Sequence, residues 1–167
     1  MDAVQTDWIT KKALDILAGI EIGIIGGIVM LLWLAISAPL IGNSWWSVLN
    51  LFASHSYAVR LVREGPGMVT VSGIAMQLAA AGVVGAITGF LAPSGRLFGL
   101  AVTVAWYMLC YVFFWKRYAP LVPVYGPQPL LAIAFFLYGS ALGWHPYLAA
   151  RLYGSGEQRT VRAYRWG

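Results

Sequence analysis

Residues 13–41 read Ala13-Leu14-Asp15-Ile16-Leu17-Ala18-Gly19-Ile20-Glu21-Ile22-Gly23-Ile24-Ile25-Gly26-Gly27-Ile28-Val29-Met30-Leu31-Leu32-Trp33-Leu34-Ala35-Ile36-Ser37-Ala38-Pro39-Leu40-Ile41, and this stretch decides the fold. Asp15 and Glu21 are its only ionisable side chains. A helix of this length reaches about 43 Å at 1.5 Å per residue, enough to cross the ~30 Å hydrocarbon core of a bilayer with some tilt. Pro39, Gly42 and Asn43 mark its end.

The rest of the chain follows the same pattern. Intervals 22–59, 65–95, 97–115 and 118–150 carry no charge, and the composition is 60% hydrophobic and only 10% charged. A soluble domain has about 25% charged residues, so a water-soluble fold is excluded. Further spans are expected over about 68–91, 97–115 and 130–149. Ala92-Pro93-Ser94-Gly95-Arg96 is short enough to make spans two and three a tight antiparallel hairpin. Between spans three and four, prolines at 120, 123, 127 and 129 predict an irregular loop. Pro146 is expected to bend or end the fourth span near His145.

Residues 44–63 read differently. Ser47, Asn50 and Ser54 recur at helical spacing opposite Trp45, Leu49, Phe52, Val59 and Val62. This predicts one amphipathic helix lying at the membrane surface with its tryptophans at headgroup depth. The predicted fold is therefore an all-α integral membrane protein, a single domain of four transmembrane helices plus one interfacial helix, with a polar tail over 151–167.

An even number of spans puts both termini on one side. That side collects seven cations, Lys11, Lys12, Arg96, Arg151, Arg159, Arg162 and Arg165, against four, Arg60, Arg63, Lys116 and Arg117, on the other. The larger group belongs in the cytoplasm, so both termini are expected on the cytoplasmic side. The same topology accounts for the +5 net charge without nucleic acid. The first apolar stretch is longer than a signal-peptide core and lacks a small-residue cleavage site, so it is expected to remain as the first span.

Small residues recur at every fourth position: Gly19, Gly23 and Gly27 in span one, Gly73, Gln77, Ala81, Gly85 and Gly89 in span two, and Gly139 and Gly143 in span four. Such stripes let backbones approach closely where no water-driven effect holds helices together. Gln77, on the second stripe, is expected to hydrogen-bond across a helix contact for about 0.6 kcal/mol. Glu21 is the one carboxylate well inside a span, about 13 Å past Lys12, and at 100° per residue it points away from the glycine stripe. An intramembrane acid is costly, so Glu21, placed just below the cytoplasmic headgroups, is expected to snorkel or to pair with a basic group, a proton or ion relay being the alternative. Asp15, by contrast, has Lys11 one turn away.

His55 and His145 are the candidate axial ligands for a haem or pigment. They fall at opposite ends of the bundle, which rules out one shared haem. The lone Cys110 excludes a disulfide framework and a cysteine-rich cluster. The sequence contains no Ser-His-Asp order, phosphate-binding glycine loop or His-x-x-x-His spacing. In the tail, Arg159, Arg162 and Arg165 alternate with Tyr164 and Trp166, a pattern suited to docking on carboxylates or lipid phosphates at the cytoplasmic side. Trp106, Tyr107, Tyr111, Phe113, Phe114, Trp115 and Tyr118 make an aromatic belt, or a contact surface for a quinone or pigment.

The order of these elements, with Ser44-Trp45-Trp46 after a glycine-rich span and Tyr138-Gly139-Ser140-Ala141-Leu142-Gly143 in the last, resembles small bacterial membrane proteins of the YagU-like kind over roughly residues 16–145. The resemblance implies a four-span fold with histidines in the middle of spans two and four. Here Gln77 and Phe135-Phe136 stand in those regions. The chain is accordingly expected to be a non-catalytic subunit of a larger, energy-transducing membrane complex. It would contribute packing, shielding and docking, contact lipid and other membrane subunits, and hold no cofactor of its own. The alternatives are a small oligomeric transporter or channel, and a haem- or quinone-binding anchor.

Overall fold

The computed structural model describes residues 3–91 and 96–151, and every regular element among them is helical. Helix α1 (Ala3–Ser37) begins ten residues before the expected span, because nothing between Ala3 and Lys12 breaks a helix. It tightens into a 3₁₀ turn over Ala38–Ile41, closed by Gly42. Gly42 is left-handed, at φ 78°, and its amide donates to the carbonyls of Ala38 and Pro39. After it come α2 (Ser47–Phe52), α3 (Val59–Arg63), α4 (Met68–Leu91) and α5 (Arg96–Leu109). A π-helical turn over Cys110–Phe114 joins α5 to α6 (Trp115–Tyr118). Helices α7 (Val122–Tyr125) and α8 (Gln128–Leu142) follow, and residues 145–151 form a last helical segment. Three stretches, Trp8–Ile41, Met68–Leu91 and Leu97–Tyr118, are long and apolar enough to cross a membrane, which marks the chain as a membrane protein.

Helix α1 is the axis of the bundle. Helix α4 runs antiparallel along one side of it and α8 along another, while α5 packs on α8. The core between them is filled by Met30, Leu34, Leu131, Tyr138 and Leu142. Hydrogen bonds fix the helix register. The Tyr138 hydroxyl donates to the Ala81 carbonyl at 2.7 Å, and the Trp33 indole donates to the Leu130 carbonyl at 3.2 Å. Lys12 donates to the Phe90 carbonyl at 2.9 Å, satisfying one of the free carbonyls at the end of α4.

Several expectations are corrected. Helices α4 and α5 scarcely touch, so the short connection between spans two and three does not make them a tightly packed pair. The single amphipathic helix over 44–63 is replaced by α2 and α3, with a turn between them. Its polar stripe does not face solvent, since Asn50 is 0% exposed and Ser54 is buried, as Leu49, Phe52 and Val62 on the other side are. Asn50 donates to the carbonyls of Val62 and Gly65, each at 3.0 Å, and accepts from the Thr70 hydroxyl at 2.6 Å. Its full set of partners turns a residue that reads as a surface group into the hub tying α2 to α3 and the start of α4. The proline-rich loop contains α7, with Pro123 in its first turn, where the missing amide costs nothing. The fourth apolar stretch is not one helix over 130–149. It stops at Leu142, turns at Gly143-Trp144 and resumes at His145 with Pro146 again in a first turn.

Candidate functional site

The small residues of α1 and α4 meet at a crossing too close for any side chain. A Cβ at Gly19 would strike the Gly85 carbonyl and lie 2.9 Å from the Gly89 Cα. One at Gly85 would strike the Gly19 carbonyl and lie 2.9 Å from the Gly23 Cα. Gly89 faces the Asp15 carbonyl in the same way, and a Cβ at Gly27 would lie 2.9 Å from the Ala81 Cβ. Gly73 belongs elsewhere: its neighbour is the Leu49 carbonyl of α2, not α1. Gly139 and Gly143 face α5, where Thr103 packs on Gly139, and a Cβ at Gly99 would meet the Gly143 amide at 2.5 Å. Gly99 and Gly26, which rests on the Tyr138 ring, are contact residues that the four-residue spacing does not pick out.

Glu21 is exposed on α1, on the side away from α4. Its neighbours on that face are Leu17, Ile24, Ile28 and Leu32, all exposed. His55 is exposed in the turn after α2, its ring 6.0 Å from that of Tyr118. His145 is buried at the opposite end of the bundle, with Nε2 3.1 Å from the Asp15 carbonyl, a link between α1 and the last helical segment. Among the described residues no group of three or more His, Cys, Asp or Glu side chains gathers. Arg159, Arg162, Tyr164, Arg165 and Trp166 lie outside the described residues.

Where α4 and α5 diverge, a cleft of about 460 Å³ opens between them. The α4 wall is Met76, Gln77, Ala80, Val83, Val84 and Ile87, the opposite wall runs from Trp106 to Ala119, and Phe52 of α2 contributes to the lining. The π-helical turn shapes the second wall. In a regular helix the face carrying Trp106 and Cys110 would continue through residues 113 and 117. The extra residue in the turn delays that face by one position, so Phe114 and Tyr118 line the cleft and Arg117 is left exposed outside it. Trp106 and Phe114 pack with ring centroids 5.2 Å apart.

Gln77 is the polar side chain of the α4 wall. It is the tenth residue of the 24-residue α4 and so lies near its middle. Its Nε2 donates to the Met30 thioether at 3.4 Å, a weak acceptor, and among the described residues its Oε1 has no partner. The cleft was not legible in the sequence, because neither the π turn nor the splay of α4 from α5 has a marker there. Comparison with known protein families, curated proteins and solved structures finds no match for this chain.

Proposed function

We propose that the chain is a non-catalytic integral membrane subunit that docks on another membrane protein through the exposed face of α1. The observation that carries this reading is Glu21, an acid about 13 Å along the helix from Lys12, set on a face otherwise made of Leu17, Ile24, Ile28 and Leu32. A carboxylate on a lipid-facing surface at that depth is costly and is too short to reach the headgroups, whereas a partner helix offering a cation or a hydrogen-bond donor removes the cost.

In this reading the chain crosses the bilayer four times, the fourth crossing being the broken helix 128–151. What supports it is the pair of links to α1, Trp33 to Leu130 at one end and Asp15 to His145 at the other. They are eighteen α1 residues apart, about 27 Å, close to the thickness of the hydrocarbon core. Both termini then lie on the cytoplasmic side, with α2, α3 and α7 at the opposite interface.

A photo-crosslinking residue at Leu17 or Ile28 tests the docking face. The expected product is one membrane protein at defined mass, lost when Glu21→Gln is added. Adducts with lipid alone would reject the reading.

A further inference from the structure

The cleft between α4 and α5 is a built cavity that the docking role does not use. It extends along α4 from Met76 to Ile87, eleven residue steps or about 17 Å. At about 460 Å³ it has the volume of a small-molecule site, with room for one flat ring and an extended hydrocarbon chain. Its walls are apolar apart from a few groups, as in small-molecule sites generally.

Gln77 is the feature that plain lipid does not answer. Its amide lines the cleft at mid-helix depth, where one N–H donates to a thioether and the second N–H has no partner among the described residues. A polar group at bilayer depth without adequate partners costs free energy, and an acyl chain offers it nothing. Phe52, Phe114, Trp115 and Tyr118 also line the cleft, an aromatic lining suited to a ring, while Val83 and Ile87 add apolar surface along α4.

We propose that this cleft binds a lipid-soluble molecule with a flat, carbonyl-bearing ring and a long hydrocarbon tail, of the quinone chemical class. The ring carbonyl accepts a hydrogen bond from the second Gln77 Nε2–H, the ring packs between Phe52 and the aromatic wall, and the tail runs between Val83, Ile87 and Trp106. This site is separate from the α1 face, so each reading fails or stands without the other.

The test uses the full chain in detergent, titrated with decylubiquinone and followed by tryptophan quenching, with 1-decanol as the ringless control. Saturable quinone binding is expected, weakened about three- to tenfold by Gln77→Leu. Ala80→Trp, which fills the groove from its own wall, is expected to abolish it. Circular dichroism of both variants checks that the bundle is intact. Quinone binding unchanged in both variants, or displacement of the quinone by 1-decanol at equal concentration, would overturn the assignment.

Discussion

Gly85→Ala should destabilise the bundle, and Gly82→Ala, three residues away on the same helix, should not. The added methyl at Gly85 strikes the Gly19 carbonyl and sits 2.9 Å from the Gly23 Cα, where carbon atoms prefer about 3.5–4.0 Å. Both obstacles are backbone; the Gly23 Cα alone requires α1 to retreat by roughly 0.6–1 Å, and the closer Gly19 carbonyl requires at least that. That retreat loosens the neighbouring contacts of Gly89 with Ile16 and of Gly27 with Ala81. Overpacking of this kind costs about 1–3 kcal/mol. At Gly82 the new methyl meets only Ile24 Cγ1, at 3.6 Å, an ordinary contact. There the gain in helix propensity, up to about 1 kcal/mol, is uncompensated. Unfolding in mixed micelles by increasing sodium dodecyl sulfate, followed by far-ultraviolet circular dichroism, should therefore show a lower midpoint for Gly85→Ala and an unchanged or higher one for Gly82→Ala. Equal midpoints for the two variants would refute the claim that α1 and α4 cross backbone to backbone.

Asn50→Leu leaves the Val62 and Gly65 carbonyls and the Thr70 hydroxyl without their partner, and a loss of about 1–3 kcal/mol is expected in the same unfolding assay. Tyr138→Phe removes one interhelical hydrogen bond, to the Ala81 carbonyl, and should cost about 0.6–1.7 kcal/mol without altering the fold. Glu21→Gln should insert and fold as the parent does, because a neutral amide is cheaper at that depth, while partner association falls in pull-down. Deletion of residues 154–167 should release a cytoplasmic-side peripheral subunit; retention of every partner at parental stoichiometry would show that the tail does not dock.

Three of the apolar spans were legible because hydrophobicity and the absence of charge over some twenty residues have few other causes. The glycine stripes were legible as close-packing surfaces, because a four-residue recurrence of small residues lets backbones approach, but which helices they join was not. What the sequence hid is tertiary. Asn50 has the spacing of a surface residue, and only the fold back of residues 62–70 surrounds it with partners. The cleft depends on a π turn with no proline or glycine inside Cys110–Phe114 to announce it, and on α5 packing against α8 rather than α4. Gly99 is a lone glycine in α5, with no repeat to mark it, and it becomes a contact residue because Gly139 and Gly143 come to it.

The docking claim is tested most directly by native mass spectrometry of the full chain extracted from its own membrane in nanodiscs, alongside the Glu21→Gln variant. The account predicts that the parent chain leaves the membrane in a defined assembly with another membrane protein at fixed stoichiometry, and that the variant leaves it alone and folded. A parent chain found only as a monomer or a homo-oligomer, or an assembly that Glu21→Gln leaves whole, would contradict it.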